Sequence, residues 1–498
     1  MADFDNQLLK SGTVELLSEM RALRDEIVET AAPLFDQLVR RAELSDADRP
    51  TLENLCHYLA LRHHDIRALQ RKLMWRGLSS LGRLESRVLP TIDAVLAVLA
   101  AIDGRDAPHP APTEAQFFRG ERTLIEATNA LFGPPQKHRR GRIMVTLPGE
   151  VATDPDFILD LARRGMDVAR INCAHDSPEI WATMANHVRA AGKSVGRRLT
   201  ILMDIAGPKI RTEAVLPEKK VKIEAGDRLR LIAEGTPRVT ADVPFSAVVS
   251  IPEIVTRLSV GDRVRYDDGK LEGVVESLAP GEAIVCVSHT KTGGTKLKAE
   301  KGLNLPDTSL GLSPLTDKDR SDLATVIDCA DMLGYSFVSR PEDIDLLEEV
   351  LAKRGAIERT FGLIAKIEQP EAVKNLPALI ARARFHRRPF GVMIARGDLA
   401  AEIGFERVAE MQEEMLWICE AASVPTIWAT QVLEDLVKDG LPSRGEMTDA
   451  AMAVRAECVM LNKGPAVAEA VTLLDHLMSR MDEHMHKKTP TLRALKSW

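Results

Sequence analysis

Apolar residues at helical spacing open the chain: Val14, Leu17, Met20, Leu23 and Ile27, then Leu52, Leu55, Leu59, Ile66, Leu69 and Leu73. A stripe recurring every three to four positions is the mark of a helix with one buried face, so residues 1–103 are expected to form a small helical bundle. Residues 104–140 interrupt that rhythm with Pro108, Pro110, Pro112, Pro134, Pro135 and a basic run at 137–140, the composition of a linker around one short helix. After Arg142 the pattern changes again. Short β-rich runs alternate with amphipathic helical segments: RIMVTL (142–147), DVARIN (167–172), LTILMDI (199–205), DMLGYSFV (331–338), FGLIAKI (361–367), PFGVMIA (389–395), VPTIWA (424–429) and ECVMLN (457–462). Eight strand-helix units predict an α/β fold, a parallel (β/α)8 TIM barrel, over 141–212 and 305–486.

The third unit is interrupted by residues 213–304, where apolar and polar residues alternate around Gly-Asp, Asp-Gly and Pro-Gly turns. Period-two alternation with such turns predicts a small inserted β-barrel placed as a lid. One helix, near 467–485, and a tail at 487–498 complete the chain.

Composition narrows the partners. The 498 residues carry a formal net charge of −7, which argues against nucleic-acid or membrane-surface binding and leaves small anions as candidates. No apolar run has membrane-spanning length and the N-terminus lacks a leader pattern, so a cytoplasmic location is expected. Oligomeric state is left open. Six scattered cysteines, Cys56, Cys173, Cys286, Cys329, Cys419 and Cys458, form no CxxC pair and suit reduced, buried thiols.

In TIM barrels the working groups sit at the C-terminal ends of the strands. There the chain offers Thr146, Arg170 with Asn172, Asp204, Ser336, Lys366 with Glu368, Arg396 with Asp398, Thr430, and Asn462 with Lys463. Each alone has an ordinary structural explanation; their convergence on one rim does not. Glu368 and Asp398, from adjacent strand ends, can hold Mg²⁺ through hard oxygens while leaving positions for substrate. Lys366, two residues before Glu368, points the same way and sets an ammonium beside that metal, as a developing enolate or transferring phosphoryl group requires. Backbone amides of Gly397 and Asp398 are available to a carboxylate.

At these residues the chain resembles the pyruvate kinase family, through GMDVARINCAH (165–175), MDIAGPKIRT (203–212), YDDG (266–269), KGLNLPD (301–307), IAKIE (364–368), ARGDL (395–399), ATQVLE (429–434) and SRGEMTDAAMAV (443–454). The resemblance implies Mg²⁺- or Mn²⁺-dependent transfer of a phosphoryl group between phosphoenolpyruvate and ADP, giving pyruvate and ATP in glycolysis. It implies that Lys366 stabilises the transferring group, Glu368 and Asp398 bind the metal, Arg170 grips phosphate, and Thr430, Gly397 and Asp398 contact the substrate. Asn172, His175, Arg211 and Lys301 match positions near the nucleotide phosphates, and Asp268 a lid residue that closes on the site.

Departures from the family pattern carry further expectations. Strand one continues as Leu147, Pro148, Gly149 where the family has Gly-Pro; Ile205 and Ala206 replace a threonine and a lysine; Asn462, Lys463, Gly464 and Pro465 replace Ser-Gly-Glu-Thr, which bears on proton delivery. The family's C-terminal domain has no counterpart, so fructose 1,6-bisphosphate is not expected to activate. In the monovalent-cation site, matched by Asn172, Ala174, Asp204 and Ile205, Ala174 lacks the usual hydroxyl, and Lys209 stands where cation-dependent relatives have glutamate. A Lys209 ammonium beside Asp204 would replace K⁺, so K⁺ is expected to be dispensable. Two rivals remain at this point: another Mg²⁺-dependent enolate enzyme of the barrel class, and a catalytically silent relative that regulates.

Overall fold

A computed structural model describes residues 2–39, 44–217, 221–267, 269–308, 311–355 and 361–490. Eight parallel strands form a closed barrel in sequence order: β1 (Arg142–Thr146), β2 (Val168–Asn172), β3 (Thr200–Asp204), β4 (Met332–Tyr335), β5 (Gly362–Ile367), β6 (Phe390–Ala395), β7 (Thr426–Ala429) and β8 (Cys458–Leu461). Each lies within one of the runs picked out by hydropathy. The strands are buried on both faces, as parallel strands covered by crossover helices must be.

The inserted segment forms a seven-stranded sheet with its own apolar core, centred on Leu229, Phe245, Tyr266, Val285 and Val287. Its edge strands, Thr212–Leu216 and Leu303–Asn304, are brought together at the neck by an isolated bridge between Arg211 and Gly302. The sheet thus curls toward closure where the chain leaves and re-enters the barrel. The lid rests on the helix Arg396–Ile403 that follows β6: Arg265 donates to the carbonyl of Ala401 at 2.8 Å, and Asn304 to Glu402 at 2.8 Å.

Helices Ala2–Val39, Arg49–Leu61, Arg67–Trp75 and Val88–Asp103 make up the N-terminal bundle. It packs on the barrel rather than standing off it. Asn54 donates to the carbonyl of Ala421 at 2.8 Å, Arg384 pairs with Asp48 at 3.1 Å, and the bundle and the barrel's helices share one continuous apolar core. Residues 104–140 include the helix Arg119–Phe132, which ends beneath the barrel. There Leu131 and Phe132 join Met144, Val168, Leu202, Met332, Ile364, Met393 and Ile427 in a closed apolar floor. Gly362 and Gly391 make room for it, since a Cβ on either would lie 2.3 Å or 3.0 Å from a Leu131 methyl.

Leu131 is 2% exposed and faces the N-terminal ends of strands that cannot collapse inward. Leu131→Ala is therefore expected to lower unfolding free energy by about 2–5 kcal/mol, as deep barrel substitutions do. Equilibrium denaturation checks it; a loss under about 1 kcal/mol would show that the helix merely leans on the floor.

Candidate active site

The strand ends converge as barrel geometry demands. β2 and β3 run in register with Asn172 beside Asp204, which aims Arg170 and Asp204 into the same mouth. Arg170 grips Asp204 through both ends of its fork, with Nε to Oδ2 at 2.9 Å, and donates to the Thr146 hydroxyl at 3.1 Å. Lys366 lies 3.3 Å from the other Asp204 oxygen, 2.8 Å from Glu368 and 2.6 Å from the Ser336 hydroxyl. The Ser336 hydroxyl in turn donates a hydrogen bond to the carbonyl of Ile205 at 2.7 Å.

Of the four ionic groups at this centre the carboxylates Asp204 and Glu368 are buried and Lys366 and Arg170 nearly so, and the electrostatics follow from that. Burial works against the Lys366 ammonium, but Asp204 and Glu368 more than offset it, and its pKa is driven above the ordinary lysine value. Burial likewise opposes the Asp204 carboxylate, yet Lys366 and Arg170 hold its pKa below the usual range. Glu368 goes the other way. Burial and the nearby charge of Asp398 raise it, despite Lys366 and a 2.7 Å hydrogen bond from the Phe337 amide.

Asp398, in the first turn of Arg396–Ile403, pairs with Lys209 at 2.6 Å. Lys209 was expected beside Asp204; the neck of the lid carries its ammonium to Asp398 instead, while Asp204 is taken up by Arg170 and Lys366. Burial opposes the Asp398 charge, and Lys209 with Lys366 holds it below the usual range. Among the described residues no cluster of three or more His, Cys, Asp or Glu gathers. The two carboxylates that repel each other, Glu368 and Asp398, suit a hard divalent ion that keeps water and substrate oxygens as its other ligands.

Thr430 follows β7 with φ of 66°, and Gln431 and Leu433 share this left-handed backbone at 55° and 49°. A β-branched residue there is strained, and such strain is held only where the surroundings over-determine it. Here they do. The Thr430 hydroxyl accepts from the Gly397 amide at 2.8 Å, so that amide is engaged already, and Arg396 donates to the carbonyls of Ala429 and Thr430 at 3.1 and 2.6 Å. Arg396 is in turn fixed by a two-pronged pair with Asp449 and lies over the Trp428 ring, 4.7 Å from its centre.

Across the mouth, burial first and then the positive charges of Lys463 and Arg211 depress the pKa of His175, which favours its neutral form beside these two cations. Asn172 accepts from the Ala174 amide at 3.1 Å; Lys301 pairs with Asp267 at 3.2 Å, and Arg211 donates to the carbonyl of Glu300 at 3.1 Å. Asp268 lies outside the described residues. Sequence reasoning had noted Ser336, Arg396 and Lys463 only as strand-end groups. Their roles as hydrogen-bond donor to Ile205, clamp of Thr430 and neighbour of His175 come from contacts between distant segments.

Known proteins supply the comparison. Residues 138–469 match the family model "Pyruvate kinase, barrel domain". A pyruvate kinase of Agrobacterium vitis is 31% identical over 367 residues, covering 72% of this chain and 73% of that one. One from Mycobacterium tuberculosis H37Rv is 33% identical over 351 residues, 69% of each. A solved pyruvate kinase from Cryptosporidium parvum superposes with a TM-score of 0.63 at 26% identity, over 72% of this chain and 73% of that one. With a matching barrel, an inserted lid and a charged centre at the strand ends, the chain belongs to the pyruvate kinase family.

Proposed function

We propose that this chain transfers the phosphoryl group between phosphoenolpyruvate and ADP, giving pyruvate and ATP as in glycolysis. The observation that carries the reading is the buried Lys366 ammonium, held between Asp204 and Glu368 at the rim where Arg170, Asp398 and Thr430 also converge. In the forward direction the bond from phosphorus to the enol oxygen breaks, a β-phosphate oxygen of ADP takes the phosphoryl group, and the enolate left behind gains a proton at its methylene carbon. Negative charge thus moves onto the enol oxygen and the equatorial oxygens of the group in flight. A fixed ammonium stabilises that charge without reorganising, because its carboxylate neighbours already orient it.

Arg170 would turn its fork from Asp204 toward the phosphate, and Thr430 would hold the substrate carboxylate from a backbone fixed by Arg396. Glu368 and Asp398 would hold Mg²⁺ or Mn²⁺, which when bound supplies Lewis-acid stabilisation of substrate oxygens. Lys209 must then give up its contact with Asp398. Arg211 and Lys463, the two cations beside His175, have no use in a carbon–carbon lyase of the same barrel class but suit nucleotide phosphates, which favours the kinase reading.

Lys366→Met should abolish turnover while phosphoenolpyruvate binding persists, since the ammonium matters most for charge that develops in flight. A variant within about tenfold of the parent kcat would remove Lys366 from that role. Asp398→Ala should instead raise the Mg²⁺ concentration needed for half-maximal rate, with partial recovery at high Mn²⁺; an unchanged metal dependence would place the ion elsewhere.

K⁺ independence is supported by the chain's own groups. Ala174 offers no hydroxyl, Asn172 spends its side-chain oxygen on the Ala174 amide, and Asp204 is matched by Arg170 and Lys366. Turnover in tetramethylammonium buffer should therefore change little on adding about 100 mM KCl, a concentration near physiological ionic strength. Strict dependence on KCl would show that Asn172 and Asp204 still cradle a cation.

A further inference from the structure

At the opposite end of the barrel from Lys366, under the N-terminal ends of β1 and β8, lies a cavity open to solvent. Its walls combine the N-terminal segment, through Arg83, Arg87 and Leu124, with the terminal hairpin Met485–His486 and Thr489–Pro490. These pieces fall outside residues 138–469, so the cavity forms where this chain's additions meet the matched barrel, which supplies Arg142, Glu420 and Val454.

The polar groups of the cavity are unbalanced. Arg83 makes no ion pair or hydrogen bond among the described residues, and its Nε and Nη1 are shut off from solvent with no partner. Arg87 lies over the Phe117 ring and has a loose ion pair with Glu121 at 3.7 Å, but its Nε is buried without a hydrogen-bond acceptor. Arg142 spends its fork on the carbonyls of Gly133 and Arg140 and the amide oxygen of Asn129, with no carboxylate against it. Buried guanidinium donors without acceptors are disfavoured and rare in folded proteins, and a ligand oxyanion is the group that satisfies them in pairs.

Four carboxylates line the same space: Asp482 is held by Arg140, Glu457 by Lys487, and Glu121 stands beside Arg87, which leaves Glu420. Burial first, with Glu85 and Glu457 against the pull of Lys487 and Arg83, pushes Glu420 up to about 7, so near neutrality it carries only part of the charge that would repel an anion. Leu124, Ile125 and Val454 line the remaining wall, and Ile125 is 49% exposed. A ligand that covers Ile125 needs an apolar body as well as an anionic head.

We propose that this cavity is a second ligand site, separate from the catalytic mouth, for a small organic oxyanion: a phosphate or carboxylate held by Arg83 and Arg87, on an apolar body seated against Leu124, Ile125 and Val454.

Calorimetric titration of the full chain with phenyl phosphate and with benzoate tests it, with inorganic phosphate and benzyl alcohol as the head alone and the body alone. At least one of the first two probes should bind saturably with Kd below about 1 mM, tighter than either fragment. Arg83→Gln should weaken it by about tenfold or more, as loss of a charge-assisted fork does, and should leave phosphoenolpyruvate–ADP turnover unchanged because Arg83 supports no other contact. Arg170→Ala, which strips the catalytic mouth of its phosphate grip, should leave this binding intact. The proposal fails if neither probe saturates, if Arg83→Gln binds as the parent does, or if Arg170→Ala abolishes the signal.

Discussion

A lysine ammonium shut away from water survives only if carboxylates meet it, and those carboxylates must be buried with it. In this chain the ammonium is Lys366, and the partners are Asp204 from β3 and Glu368 just past β5. Arg170 from β2 closes the account of charge on Asp204, and Ser336 past β4 takes the ammonium's third proton. Groups from four consecutive strands therefore have to arrive within hydrogen-bond reach of one another. That requirement ties the chemistry to barrel closure, because a slip in any strand would leave a buried charge unmatched.

The rest of the molecule can be understood as holding that centre in place. From below, Leu131 and Phe132 fill the floor that the strands leave open, so the N-terminal helices are part of the barrel's packing. From above, the lid touches Ala401 and Glu402 on the helix that carries Asp398, and the neck of the lid supplies Lys209 to the same carboxylate. Lid position and the charge at the Asp398 carboxylate are thereby mechanically linked. The strained backbone at Thr430 is offset by Arg396, whose pair with Asp449 ties the loop to the helix Arg444–Ala453.

Much of this was legible in the chain. The eight strands were visible because each is a short apolar run bounded by breakers and buried on both faces, and Lys366 with Glu368 could be placed on one face from period two alone. Contacts set by three-dimensional closure were not. The resemblance at the monovalent-cation site pointed Lys209 toward Asp204; the neck of the lid directs it to Asp398, across 189 positions of sequence. The clamp of Arg396 on Asp449 joins residues 53 apart with no shared motif. One short helix between the prolines of residues 104–140 was legible, but its place beneath the barrel was not, because the contacts of Leu131 and Phe132 are with strands far along the chain.

The central claim is that Lys366 and Asp204 are worth far more together than apart. A double-mutant cycle on unfolding free energy with Asp204→Asn, Lys366→Met and the double variant measures this directly, whatever becomes of activity. Each single variant strands a buried partner, so each should destabilise strongly, while the double should cost much less than the sum, with a coupling energy of about 2 kcal/mol or more. Additive losses, with coupling under about 0.5 kcal/mol, would show that the two charges do not depend on each other and would contradict the account.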